Sequence, residues 1–231
     1  LDSAGNIFIA DQSNQRIRVI NTQSGGITVQ GVSISAGFIQ TIAGTGTGGF
    51  NGDNISAITA RLLNPNGVFV DGLGNVFISD STNQRIRKVS SGVITTVAGN
   101  GQAGYDPYFP ASFARILNPS SVYVPGSGNI FFSDSSGVHE VVVSTGNLNV
   151  VIGNDAFGFG GDFEPATNAQ LFIPQGLAVD GSGNIVVADA GNYRVLVDNA
   201  AGFALSDNAV LTVVDPVITN QPASRTNDAG T

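Results

Sequence analysis

"GNVFISDSTNQRIRKV" spans Gly74 to Val89, and the chain repeats it with small changes as "GNIFIADQSNQRIRVI" (Gly5 to Ile20) and "GNIVVADAGNYRVLVD" (Gly183 to Asp198). The opening Gly-Asn pair falls at 5–6, 74–75, 128–129 and 183–184, so the Asn recurs after 69, 54 and 55 residues. Pro65, Pro119 and Pro174, which open "NPNGVFVDG", "NPSSVYVPG" and "IPQGLAVDG", keep the 54- and 55-residue steps. Repeats of this length are supersecondary units that bury their apolar surface by stacking on one another. The first interval is longer by about 15 residues, and "TQSGGITVQGVSISAGF" (Thr22 to Phe38) reads as an insertion that accounts for the excess.

The second unit predicts four short strands at 67–71, 75–80, 85–89 and 93–99, joined by turns tight enough for antiparallel hairpins. In "NVFIS", Val76 and Ile78 face one way and Phe77 the other, so both faces are apolar. Ile7, Phe8 and Ile9, and Ile130, Phe131 and Phe132, repeat that pattern. A sheet with one wetted face would alternate apolar with polar residues. Repeated sheets buried on both faces are blades packed flank to flank, the architecture of an all-β propeller.

Composition agrees. Of 17 acidic residues only Glu140 and Glu164 are not Asp, and Lys88 is the sole lysine, so Glu/Lys-rich surface helices are not expected. A net charge of −8, with the arginines dispersed, opposes binding to a phosphate backbone, so no nucleic-acid partner is expected. No apolar run is long enough for a membrane-spanning helix, and no membrane insertion is expected. The absence of cysteine removes disulfides, thiolate catalysis and cysteine-ligated zinc. Met is also absent, and Leu1 joins the repeat in mid-phrase, so the sequence reads as a processed or partial piece of a longer polypeptide.

The phrase running from Pro174 to Val195, "PQGLAVDGSGNIVVADAGNYRV", resembles the NHL repeat. The connecting stretches 43–65 and 152–174 are similar to the long inter-blade segment of bacterial NHL proteins. The resemblance covers Leu1 to about Asn199 and implies a β-propeller, usually of six blades. Here the propeller region is 1–214, with four units at about 1–62, 63–116, 117–171 and 172–214, the first lacking its opening strand. A second resemblance, to bacterial Ig-like domains, rests on Asp189, Gly191 and Tyr193 as a corner before a penultimate strand; residues 215–231 then resemble a linker and the start of an Ig-like module. Residues 189–199 fit both patterns, and the reading adopted is a fourth blade completed by "AVLTVV" (209–214), followed by an extended tail.

Asp11/Arg16, Asp80/Arg85 and Asp189/Arg194 flank a four-residue hairpin connection and are read as structural pairs, because a catalytic centre would not recur in three of four units. The asymmetric residue is His139, the only histidine, placed by the repeat spacing where other units carry Arg16, Arg85 and Arg194. It is a weak catalytic candidate, with Asp134, Glu140 and Asp162 as available carboxylates. The zinc site of NHL-type lyases needs several histidines, which a single chain of this sequence does not supply. Asp53 and Asp162, in the glycine-rich loops 49–53 and 158–162, are weak calcium candidates without the density of oxygen ligands that a dedicated site has, and no cofactor is expected. Tyr105, Tyr108, Phe109 and Phe113, with Phe157, Phe159 and Phe163 one unit later, are aromatics that either anchor a partner or plug the seam between blades.

The functional expectation is a non-catalytic interaction or structural module of a secreted or surface-displayed multidomain bacterial protein. Its partners would be other subunits or further domains of the same polypeptide, in a homo-oligomer or filament. The competing expectation is an extracytoplasmic propeller enzyme, a lyase or hydrolase acting at the central channel.

Overall fold

The computed structural model describes residues 1–106, 110–126, 128–158, 160–180 and 183–188, together with the backbone of 196–199 and 202–205. It is a row of antiparallel sheets that follow the repeats. The first blade has three strands, β1 (Ile7–Asp11), β2 (Arg16–Ile20) and β5 (Ile39–Ala43), in spatial order β1-β2-β5. The inserted stretch forms a separate hairpin, β3 (Ile27–Val29) and β4 (Val32–Ile34). The second blade is complete: β7 (Pro65–Val70), β8 (Val76–Asp80), β9 (Arg85–Ser90) and β10 (Val93–Ala98) lie side by side, and a short β6 (Ile55–Ser56) closes the outer edge against β10. The third blade runs β11 (Ser121–Tyr123), β12 (Ile130–Ser133), β13 (Val138–Val142) and β14 (Asn147–Ile152). In the fourth, β15 (Gly176–Val179) pairs with β16 (Ile185–Ala188), and β17 (Leu196–Asn199) pairs with β18 (Gly202–Leu205). The stretch 209–214 and the tail 215–231 lie outside the described residues.

The alternation expected for the second strand is realised. Val76 and Ile78 pack with Ile17, Val19 and Ile42 of the first blade, whereas Phe77 packs with Val122, Ile130 and Phe132 of the third. The next seam is built in the same way, from Val138 and Ile152 against Ile185 and Val187. Among the described residues each core cluster is built from two neighbouring blades. Burying each Val, Ile or Phe contributes roughly 1.5–3 kcal/mol, and that gain exists only while the neighbouring blade is in place.

Polar clamps register the blades. Gln15 and Gln84 follow equivalent hairpins in the left-handed region (φ 55° and 52°), as do Asn64 and Asn118 ahead of the opening prolines (φ 51° and 48°). The amide of Asn64 donates to Gln15 Oε1 at 2.6 Å, and Gln15 Nε2 lies 3.4 Å from Asn64 Oδ1. Asn118 N donates to Gln84 Oε1 at 2.6 Å, and Gln84 Nε2 returns a bond to Asn118 Oδ1 at 2.9 Å. Between the third and fourth blades the clamp is gone. The third hairpin is shorter and has no Gln, and Ile173 occupies the Asn position at φ 54°, with Ser120 Oγ bonded to Pro174 O instead. Gln84→Ala should therefore cost about 1–2 kcal/mol in urea unfolding, and a double-mutant cycle with Asn118→Ala should show positive coupling. Additive costs would mean that the two amides do not act as a pair.

Candidate functional site

The second strand of each complete blade ends in an aspartate that the fold uses as an anchor. Asp80 Oδ1 accepts the amide of Leu63 at 2.7 Å, and Oδ2 accepts Asn83 Nδ2 at 2.8 Å. The carboxylate thus ties the hairpin after β8 to the segment that leads into β7. Arg87, completely buried, reaches Asp80 Oδ2 at 3.5 Å and Asp53 Oδ1 at 3.0 Å, and also donates to Gly52 O. The Phe50 ring lies 3.8 Å from the Arg85 guanidinium carbon and 4.9 Å from that of Arg87. The loop after the first blade therefore delivers an aromatic ring and a carboxylate onto the arginines of the second. Burial pushes the Asp80 carboxyl up to about 6, against the opposing pull of the Leu63 amide, Asn83 and Arg87.

This geometry corrects the expected pairing. Asp11 and Asp80 stand opposite Arg16 and Arg85 in the ladder, yet their ion partners are Arg18 at 3.4 Å and Arg87 at 3.5 Å. Residues two apart on a strand share a face, and the arginine one position deeper folds back over the aspartate. Arg16 and Arg85 instead donate to backbone carbonyls, Asn14 O and Thr45 O in the first blade, Asn83 O and Asn100 O in the second. Asp189 and Arg194 lie outside the described residues.

The position of His139 is corrected as well. It pairs with Phe132 and Val150, as Arg87 pairs with Ile78 and Thr96, so it replaces Arg87 and Arg18 rather than Arg85 and Arg16. In the third blade, Asp134 N bonds to Gly137 O at 3.0 Å across a turn with only Ser135 and Ser136 between them. The second blade spends Ser81–Gln84 on the same connection. The following turn is correspondingly longer, since Val142 pairs with Asn147 where Ser90 pairs with Val93. A shortening and a lengthening of equal size cancel, so the repeat spacing conceals both.

His139 is 1% exposed. Its Nε2 lies 3.0 Å from Asp134 Oδ1, and the rings of Phe132 and Tyr105 sit 5.1 and 5.7 Å away between centroids. Tyr105, half-buried, thus takes the place that Phe50 has over Arg87. Asp134 accepts the amides of Leu117, Ser136 and Gly137 and the Ser136 hydroxyl. Burial pushes its carboxyl up, but His139 and the Leu117 and Ser136 donors outweigh that and hold it below the ordinary range. Glu140 turns to the opposite face and accepts Asn129 Nδ2 at 2.7 Å, while Asp162 is engaged in an interaction of its own.

One carboxylate escaped sequence reasoning. Asp155 approaches Ser136 and feels both His139 and Asp134, and desolvation followed by the Asp134 charge raises its carboxyl above the usual range. The available signal was a glycine that changes: Gly46 and Gly101, at the matching loop positions, lie directly against the Arg16 and Arg85 guanidiniums. The third blade has lost that arginine with its shortened hairpin, and Asp155 stands where the glycines were.

Asp53 Oδ1 is engaged by Arg87 and by the Thr96 hydroxyl, each donating to it at 3.0 Å. Among the described residues no group of three or more His, Asp or Glu side chains is arranged to hold a metal ion. Phe157 meets Phe172 edge-on at 6.3 Å, and both are exposed, as are Phe113 and Phe163. Tyr108, Phe109 and Phe159 lie outside the described residues.

Comparison with known proteins agrees with this architecture. Residues 173–197 match the NHL repeat. No curated protein matches the chain. Among solved structures, a Bacteroides thetaiotaomicron protein of unknown function is similar at a TM-score of 0.60 and 18% identity, over 82% of this chain and 43% of that one. An auxiliary nutrient binding protein from Bacteroides ovatus is similar at 0.53 and 14% identity, over 81% and 43%. A catalytically inactive virginiamycin B lyase from Staphylococcus aureus, solved with quinupristin, is similar at 0.52 and 11% identity, over 91% and 54%. The chain is thus a mostly β protein of the propeller type that carries an NHL repeat. It spans about half the length of the structures it matches.

The two arginines at equivalent positions should respond unequally to substitution. Arg87→Met strands Asp80 in a buried site and should cost about 3–5 kcal/mol in chemical unfolding. Arg18→Met, at a pair where the arginine side chain is 36% exposed, should cost under about 1 kcal/mol. Equal losses would contradict the structural reading of Arg87.

Proposed function

We propose that the chain is a non-catalytic interaction and scaffolding segment of a larger propeller, secreted or displayed at the surface of a bacterium, with an Ig-like module following it. One observation carries this reading: the side chains best suited to chemistry are sealed inside the blades. Asp80 and Arg87 are fully buried, His139 and Asp134 are 1% exposed, and the two carboxylates are spent on stitching hairpins and seams. A general base needs access to a substrate proton within hydrogen-bond reach, and these groups are sheltered beneath Tyr105 and Phe50.

The first blade supports the scaffolding part of the proposal. Among the described residues β1 pairs only with β2, whereas its counterpart β8 is paired on both sides. An unpaired strand edge flanked by apolar side chains, here the exposed Ile7, invites another strand. In our reading that strand comes from a further part of the polypeptide or from another subunit. Size-exclusion chromatography with light scattering on the 231-residue chain is expected to show self-association or aggregation. A stable, monodisperse monomer would overturn the proposal that other blades or subunits complete it.

A further inference from the structure

The inserted hairpin β3–β4 has no counterpart in the second and third blades, and it creates a groove that they lack. Its tip residue Gln30 bridges two turns of the second blade, donating to Gly74 O and accepting the amide of Gly92 at 2.9 Å. Between the hairpin, the first blade and those turns lies an open groove of about 410 Å³. Phe8 and Val70 form its apolar wall, and Thr28, Asn75, Ser90 and Ser91 bring polar groups to it.

Those polar groups are unspent. In the first blade Asn6 Oδ1 accepts the amide of Thr22 at 3.1 Å, and in the third Asn129 Oδ1 accepts that of Val143 at 3.2 Å. Asn75 is the equivalent residue of the second blade. Its amide and Nδ2 are bound to Asp71 at 2.8 and 2.7 Å, but its Oδ1 has no hydrogen-bond partner among the described residues. The second blade has a tight turn at this point, where Ser91 and Gly92 both adopt positive φ (50° and 78°), and no bond from the Ser91 amide to Asn75 Oδ1 forms. The hydroxyls of Thr28, Ser90 and Ser91 likewise have no protein partner among the described residues.

Charge is almost absent from the groove. Asp2 is the only ionisable group that lines it, and its carboxylate is occupied by the amides of Ala4 and Asn6 and by Asn6 Nδ2. A cleft of a few hundred Å³ has room for a small molecule, and the mostly polar, neutral lining of this one suits a polar, uncharged ligand. We propose that this groove binds a small, uncharged, hydroxyl-rich ligand of mono- to disaccharide size. The ring's apolar face would rest on Phe8 and Val70, and its hydroxyls would bond to Asn75 Oδ1 and the Thr28, Ser90 and Ser91 hydroxyls. This role goes beyond the protein contacts proposed above and does not depend on them.

Amide-resolved NMR titration of the chain with glucose, maltose and cellobiose, and with glucose 6-phosphate as the charged comparison, tests the proposal. The expected result is saturable shifts confined to residues around Phe8, Thr28, Asn75 and Ser91 with at least one neutral sugar, and weaker shifts with the phosphate. Thr28→Val and Ser90→Ala alter exposed hydroxyls, so their unfolding curves should match the parent while each weakens binding roughly three- to tenfold. Absence of saturable shifts with all three neutral sugars, shifts centred elsewhere, or unchanged affinity in both variants would overturn it.

Discussion

The structure depends on one constraint: in the two complete blades the second strand has no wetted side. In Val76–Asp80 every residue is buried, with neighbours on both flanks supplying the packing. A sheet of this kind cannot be stable alone, because each face needs another sheet to remove it from water. Stability is therefore shared along the row, in the manner of repeat proteins. Among the described residues the first blade differs at its inner edge, where β1 has β2 as its one in-sheet partner.

Once both faces are committed to apolar packing, polar groups are left only the strand ends and hairpins. The aspartate closing the second strand satisfies otherwise orphaned amides, Leu63 N in one blade and Leu117 N in the next. A side chain on the facing strand then answers the buried carboxylate, and the blades supply it differently. Arg87 fills the slot with a guanidinium braced by Phe50 and Asp53, whereas the third blade uses the smaller His139 beneath Tyr105. The other changes in the third blade follow from its shortened hairpin. Removing the Gln takes away the interblade clamp, removing the Arg vacates a space against the loop, and Ile173 and Asp155 appear where Asn and Gly stood before. The exposed Phe157 and Phe172 lie beside this altered seam.

Much of this was legible in the residues themselves. The 54- and 55-residue steps define the units, and the doubly apolar "NVFIS" announces strands buried on both faces. The stretch 22–38 was readable as an insertion, although only coordinates show that its hairpin reaches over to Gly74 and Gly92. The site was less legible. Ladder partners are a poor guide to ion partners, because a long arginine two residues further along the same face reaches the carboxylate. His139 was misplaced because two opposite changes in turn length preserve the period. Burial was the least legible property: nothing in "SDSSGVHEVVV" states that its histidine is sealed under a tyrosine from the preceding inter-blade loop.

Native-state hydrogen exchange, resolved by residue, measures the central claim directly. If blades are stable only through their neighbours, the amides of Val76–Asp80 and Ile130–Ser133 should exchange most slowly and through a common opening. Those of Ile7–Asp11 and of the Ile27–Ile34 hairpin should exchange faster. Comparable exchange in Val76–Asp80 and Ile7–Asp11, or separate opening of each blade with its own free energy, would contradict the account.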